Sequence, residues 1–168
     1  IQGSHAMHDG FVVIHWRALG IGDGMIGVLW SESVAAEVVV FLLIGPWLLN
    51  RLGPGGASVL AAAGGIVRWG VLADSGSAAG AALVEPLHGL TFALQHLACM
   101  RLIGAVVPAG LAATSQAFYG TFVVGVTTTA MMLGAGVLYA RLGAAGFWVM
   151  AGFCALAVPV AARLRHVG

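Results

Sequence analysis

The chain has 168 residues, of which 60% are hydrophobic and only 8% are charged, and its mean hydropathy is +1.00. Because so few polar side chains cannot cover a water-facing surface, the composition excludes a soluble globular domain and indicates an integral membrane protein. Seven arginines, no lysine and six carboxylates leave a net charge of +1, which excludes the basic face that nucleic-acid binding requires.

Six apolar runs, separated by Gly, Pro and charged residues, have the length of membrane-crossing helices, since a bilayer core takes about 20 helical residues per crossing. A β-barrel would need short segments that alternate apolar and polar residues. The sequence therefore predicts an all-α polytopic membrane protein with six transmembrane helices in one bundle, residues 1–168. The predicted spans are 1–19, 24–49, 56–73, 78–103, 109–140 and 144–162.

The first predicted span carries a polar face. At 3.6 residues per turn, one side of this helix gathers His5, His8, Asp9, Val12, His15 and Trp16. Such a face must contact protein or water rather than lipid. The run begins without a methionine, a basic flank or a cleavage site, so we expect the chain to be a piece of a longer protein.

Three further charges lie deep inside predicted spans. Glu37 is near the middle of the second span with no basic residue within two turns, so its charged form is disfavoured and it can carry a proton. Glu32 points about 140° away from it, so the two are not expected to pair. Arg68 and Glu85 lie equally deep, roughly 9 Å from the ends of neighbouring spans, and can pair. That pair is either a permanent staple or a functional charge, because intramembrane charges have partners in both cases.

The fourth predicted span carries a polar stripe on an apolar helix. The stripe covers roughly 100° of arc and consists of Glu85, His88, Phe92, Gln95, His96 and Cys99. Histidines in such a stripe can relay protons or hydrogen-bond a substrate. His88 and His96 are more than two turns apart, and the first-span histidines lack a fourth ligand. The sequence therefore predicts neither a metal site nor a cofactor.

Arginines near the helix ends predict the orientation. If the first span runs from the cytoplasm outward, four arginines lie at cytoplasmic ends and two outside, namely Arg51, Arg101, Arg163 and Arg165 against Arg17 and Arg141. This distribution predicts a cytoplasmic C-terminus in a bacterial-type cytoplasmic (inner) membrane.

Short motifs along the chain carry a family resemblance. They are HWRALG at 15–20, GVLW at 27–30, Ala36-Glu37, Arg68-Trp69, LHGLTF at 87–92, HLA at 96–98, AATSQ at 112–116 with Tyr119, and FWVM at 147–150. Together they resemble the C-terminal half of the major facilitator superfamily, and within it the 3-phenylpropionate permease-like transporters. The resemblance implies a parent of twelve helices in two six-helix bundles. This chain then supplies helices seven to twelve, with the seventh truncated and the N-terminal half absent.

The chain departs from the superfamily pattern at several positions. The superfamily's loop signature, a Gly followed by Asp-Arg-x-Gly-Arg, should fall between the second and third spans. Asn50 stands there in the acidic position and Pro54 in the basic one, so a gating pair of the usual kind is not expected. Asp9 and the pair Glu32-Ser33 replace residues expected to be aromatic, apolar or Gly, which favours a substrate more polar than a phenylpropionate.

The combined interpretation is a proton-coupled secondary transporter half and not an enzyme. Such a half is expected to import a small organic acid, with or without an aromatic ring, by alternating access. The predicted proton-coupling residues are Glu37, His88 and His96. The predicted substrate-binding residues are Arg68, Trp69, Glu85, Phe92, Gln95, Tyr119 and His15, with Arg68 either binding a substrate carboxylate or pairing with Glu85. The expected partners are the small-molecule substrate, protons, membrane lipid and the missing half.

Other functions stay open from the sequence. A bundle whose charges are internal staples could be a non-transporting scaffold or receptor subunit. A carrier of the same superfamily could take sugars or nucleosides. An intramembrane enzyme is disfavoured, because no nucleophile with an adjacent base and no full metal triad occurs at helical spacing.

Overall fold

The computed structural model describes residues 1–164, and all regular secondary structure in this range is helical, as the sequence predicts. The α-helices are α1 (Ala6–Ala18), α2 (Asp23–Val39), α3 (Gly45–Asp74), α4 (Ala78–Val84), α5 (Gln95–Val106), α6 (Ala112–Phe118), α7 (Thr127–Leu142) and α8 (Phe147–Arg163). Short 3₁₀ turns lie at Gln2–His5, Glu85–Leu87, Ala109–Leu111 and Gly143–Gly146. Arg165, used in the orientation prediction, lies outside the described residues.

Three continuous helical stretches are long and apolar enough to cross a membrane. They are Asp23–Asp74, Ala78–Val106 and Ala109–Arg163, with 52, 29 and 55 residues. Each stretch contains a wider, π-helical segment, at Val40–Ile44, Gly89–Leu94 and Tyr119–Val126 respectively. Such segments widen a helix locally without ending it and are frequent at functional sites. The count of six crossings stays a prediction.

Glycines with positive φ interrupt the two longest stretches. Gly53 has φ 65° and ψ 173°, so α3 consists of two helices that meet at a kink. Pro54 follows directly, and its missing N–H favours an interruption here. Gly143, with φ 56°, ends α7 before α8 begins. Both positions need glycine because a Cβ is strained at positive φ, and both fall in gaps between predicted spans.

The main hydrophobic core lies where α1, α3 and α8 meet. Trp69 and Phe147 are fully buried there, and their rings stack with centroids 6.0 Å apart. Helices α3 and α8 approach closely because Gly65 lacks a side chain. A Cβ at that position would lie 2.5 Å from Sγ of Cys154. Small residues allow such contacts between membrane helices, and this packing encloses Arg68, one turn further along α3.

The outer surface of the bundle is strongly apolar. Leu42, Leu83, Leu133 and Leu156 each expose at least 70% of their surface. Water-soluble monomers rarely expose large contiguous apolar patches, whereas lipid chains are as apolar as leucine. This surface agrees with an integral membrane protein.

Candidate functional site

A buried ion pair joins α3 to the turn that follows α4. Arg68 Nη2 donates to Glu85 Oε2 at 2.8 Å, and both side chains are 0% exposed. The Ser33 hydroxyl, from α2, also donates to Glu85 Oε2. The sequence-based prediction that Arg68 and Glu85 can pair is confirmed. Because buried charges are costly unless they are paired and hydrogen-bonded, this arrangement explains how both are tolerated.

His8 connects α1 to this ion pair. Its Nε2 lies 3.1 Å from Glu85 Oε1 and 3.2 Å from Arg68 Nη2, and its Nδ1 lies 3.1 Å from Asp9 Oδ1. A neutral ring with hydrogen on Nδ1 donates to Asp9 and accepts from Arg68. A doubly protonated ring donates to both carboxylates. His8 therefore has hydrogen-bond partners in either protonation state without moving.

His88 extends the cluster formed by Arg68, Glu85, His8 and Asp9 to a third carboxylate, that of Glu37. Arg68 Nη1 donates to His88 Nδ1 at 2.9 Å, so the neutral ring carries its hydrogen on Nε2. That nitrogen lies 3.3 Å from Glu37 Oε2. The side chains of His88 and Glu37 are 13% and 24% exposed. The cluster therefore runs from a sealed ion pair to a partly accessible Glu37–His88 contact.

The Trp69 ring packs against the guanidinium group of Arg68. Arg68 Cζ lies 4.6 Å from the centroid of the Trp69 ring, within the range of a cation–π interaction. The indole Nε1 donates to the Ser4 hydroxyl at 2.9 Å. His5 Nε2 lies 3.0 Å from the Thr91 hydroxyl on the same side of the bundle. Trp69 thus supports Arg68 from a fully buried position.

Two cavities, of about 440 and 360 Å³, lie beside Tyr119. They are also bordered by the remaining predicted site residues of the fourth span. Tyr119 lines both cavities, Gln95 lines the first, and Phe92 and His96 line the second. Phe92 also stacks on His88 with ring centroids 5.3 Å apart, so the second cavity adjoins the charge cluster. His96 instead packs against the Tyr119 ring at 5.6 Å. The structure thus places His88 and His96, which were both predicted to take part in proton coupling, in different surroundings.

His15 lies on α1, and its Nε2 is buried without a hydrogen-bond partner among residues 1–164. The site roles assigned from the sequence stay predictions. The sequence-based list omitted His8, Ser33 and Thr91. Periodicity does place His8 on the polar face of α1, but its contact with Glu85 joins positions 77 residues apart, which no local pattern could indicate.

Comparisons with known proteins agree with this architecture. The sequence profile of the MFS_1 like family matches residues 1–150. Over 151 residues the chain is 37% identical to an Escherichia coli (strain K12) protein described as a probable 3-phenylpropionic acid transporter. The alignment covers 90% of this chain and 39% of that relative, so the chain spans about two fifths of the relative's length. No solved structure gives a significant match. The chain therefore belongs to the MFS_1 like family, within the major facilitator superfamily.

Proposed function

We propose that this chain is one six-helix half of a twelve-helix carrier that imports a small organic acid together with protons by alternating access. The family and the name of the E. coli relative support transport rather than catalysis. The 39% share of that relative supports a second half with which this chain works. Aromatic acids are the first class to test, because the relative's name specifies 3-phenylpropionic acid.

The helix lengths support six crossings. The stretch Asp23–Asp74 has 52 residues, about 78 Å if straight, against a bilayer core of about 30 Å. The kink at Gly53 lets this stretch cross twice, and Gly143 does the same for Ala109–Arg163. Ala78–Val106 crosses once, and α1 with its preceding turn supplies the sixth crossing.

The Glu37–His88 contact is the observation that carries the proposed proton coupling. The Glu37 side chain is 24% exposed, and His88 connects it to the fully buried Arg68–Glu85 pair. When Glu37 takes a proton, the hydrogen bond from His88 loses its charge-assisted character and about half of its strength. Protonation therefore weakens a link between α2 and the helix of the fourth span, and a change in helix arrangement can follow.

Replacing Glu37 tests this proposal. In the full-length protein reconstituted in vesicles, Glu37→Gln removes the titratable carboxyl and keeps the shape of the side chain. We expect uphill uptake of labelled 3-phenylpropionic acid, driven by a proton gradient, to be lost, while exchange of internal for external substrate persists. Glu32→Gln, on the same helix, is the matched control and retains uphill uptake. Full accumulation by Glu37→Gln removes Glu37 from the coupling role.

The arginines support a cytoplasmic C-terminus. Arg101 Nη1 donates to Asn50 Oδ1 at 2.8 Å. Arg51 follows Asn50 in the chain and is exposed, so Arg51 and Arg101 lie at the same end of the bundle. Arg163 ends α8. The positive-inside rule places such a group on the cytoplasmic side. An impermeant maleimide should label Leu164→Cys in everted vesicles and not in spheroplasts; the reverse pattern excludes this orientation.

A further inference from the structure

The two cavities that share Tyr119 contain buried polar groups without partners. The Tyr119 side chain lines both cavities and is only 7% exposed. Its hydroxyl and Oε1 of Gln95 are buried and have no hydrogen-bond partner among the described residues. Native proteins satisfy nearly all such groups with protein, water or a ligand. Two free polar atoms beside a cavity therefore indicate groups that a ligand can satisfy.

The described residues that line these cavities offer no arginine to a carboxylate. Among the described residues, neither cavity is lined by an Arg, Asp or Glu side chain. The neighbouring arginine, Arg68, is fully buried, and its terminal nitrogens contact Glu85, His88 and His8. His96 is the one basic side chain among the described lining residues, and a neutral imidazole carries no charge. A carboxylate anion in these cavities would therefore lose hydration without gaining a permanently charged partner, which is unfavourable.

We infer that Tyr119 and Gln95 form a subsite for an uncharged O–H group on an aromatic substrate, either a hydroxyl or a protonated carboxyl. The Gln95 amide oxygen accepts from the O–H, and the Tyr119 hydroxyl donates to the substrate oxygen. The Phe92 and Phe153 rings give the cavities aromatic walls. Cavities of about 300 to 1,000 Å³ bind small molecules, and both cavities fall in that range. The inference rests on the proposed function, because it specifies the substrate class of the same carrier.

Cys99 provides a binding assay that is independent of transport. It lines the larger cavity, and Gln95 Nε2 lies 3.2 Å from its Sγ, so an occupied subsite should slow its alkylation. Cys154 is fully buried. The assay uses the full-length protein and a labelled maleimide at about pH 7.5, and the signal is the labelling that Cys99→Ala removes. The probes are 3-phenylpropanol, which is uncharged, and 3-phenylpropionate.

We expect 3-phenylpropanol to protect Cys99 better than the anion does. Tyr119→Phe should raise the alcohol concentration for half-protection about two- to tenfold, the effect of one lost neutral hydrogen bond. Tyr139→Phe, whose ring stacks on Phe11, is the matched control and should change nothing. Stronger protection by the anion, or an unchanged half-protection concentration in Tyr119→Phe, overturns the inference.

Two further readouts separate the possibilities. Equilibrium dialysis of labelled 3-phenylpropionic acid at about pH 5 and about pH 7.5 distinguishes the sources of the O–H group, since an ordinary carboxyl of pKa about 4.3 is far more protonated at the lower pH. Tighter binding at the lower pH assigns the subsite to the protonated acid. Binding of the alcohol alone assigns it to a hydroxyl. Uptake without protection by the alcohol rejects only the subsite, whereas protection without uptake rejects only the transport proposal.

Discussion

Replacing Arg68 by methionine should strongly destabilise the protein. The substitution keeps an unbranched side chain but leaves the Glu85 carboxylate without its cation, in a position where neither partner of the 2.8 Å contact has any exposed surface. Removing one member of a buried ion pair costs about 3–5 kcal/mol, because the remaining charge stays desolvated. The hydrogen bond to His88 and the contact with the Trp69 ring are lost as well. We expect the free energy of unfolding to fall by about 3–5 kcal/mol.

The assay is equilibrium unfolding of the full-length protein in mixed micelles. Arg17 provides the control, because it pairs with Asp23 at 2.9 Å while the two side chains are 62% and 77% exposed. Arg17→Met should cost at most about 1 kcal/mol. The double variant Arg68→Met with Glu85→Met removes both charges and should be more stable than Arg68→Met alone. A loss below about 1 kcal/mol in Arg68→Met, or a double variant less stable than the single one, contradicts an uncompensated buried charge as the cause.

Three other substitutions test packing, backbone and hydrogen bonding through the same unfolding measurement. Gly65→Ala should lower the free energy of unfolding by about 1–3 kcal/mol, because its Cβ would lie 2.5 Å from Cys154 Sγ. Most of that cost should vanish in a Cys154→Ala background. An equal cost in that background refutes the steric cause. Gly53→Ala should also cost about 1–3 kcal/mol, from its φ of 65° alone, since nothing lies within 4 Å of the added Cβ; a neutral result would show that the kink can relax. Trp69→Phe removes the donor to the Ser4 hydroxyl and should lower the free energy of unfolding by about 1–3 kcal/mol. If this hydrogen bond is responsible, Ser4→Ala should cost a similar amount. The double variant should then cost no more than either single variant.

The ion pair shows how much of the candidate site could be predicted from the sequence. Arg68 and Glu85 lie at similar depth in successive spans, and a short connection makes successive helices neighbours, so their contact could be expected. The contact between Glu37 and His88 could not be derived in this way. The sequence indicates each residue as a polar position on its own helix. It does not give the rotation of the two helices about their axes, and that rotation decides whether the two side chains meet.

The polar stripe on the fourth span was predicted as one face, yet the structure divides it. Glu85 and His88 contact Arg68, whereas Gln95 and His96 border the cavities beside Tyr119. The π-helical segment Gly89–Leu94 lies between the two groups. Because a π-helical turn holds more residues than an α-helical turn, it shifts the faces that a uniform period of 3.6 residues predicts. No signal in the sequence marked this change of period.

The length and composition of the apolar runs were sufficient to predict a helical membrane protein from the sequence. The reason is that a segment in lipid must satisfy its own backbone hydrogen bonds and span a fixed thickness. Tertiary packing alone decided that His8 and Ser33 reach Glu85, that Trp69 lies sealed beneath Arg68 and that Tyr119 joins two cavities. The physical reason is that a shift of one residue rotates a helix face by about 100°. Contacts with neighbouring helices set that rotation, and they are not encoded within any single span.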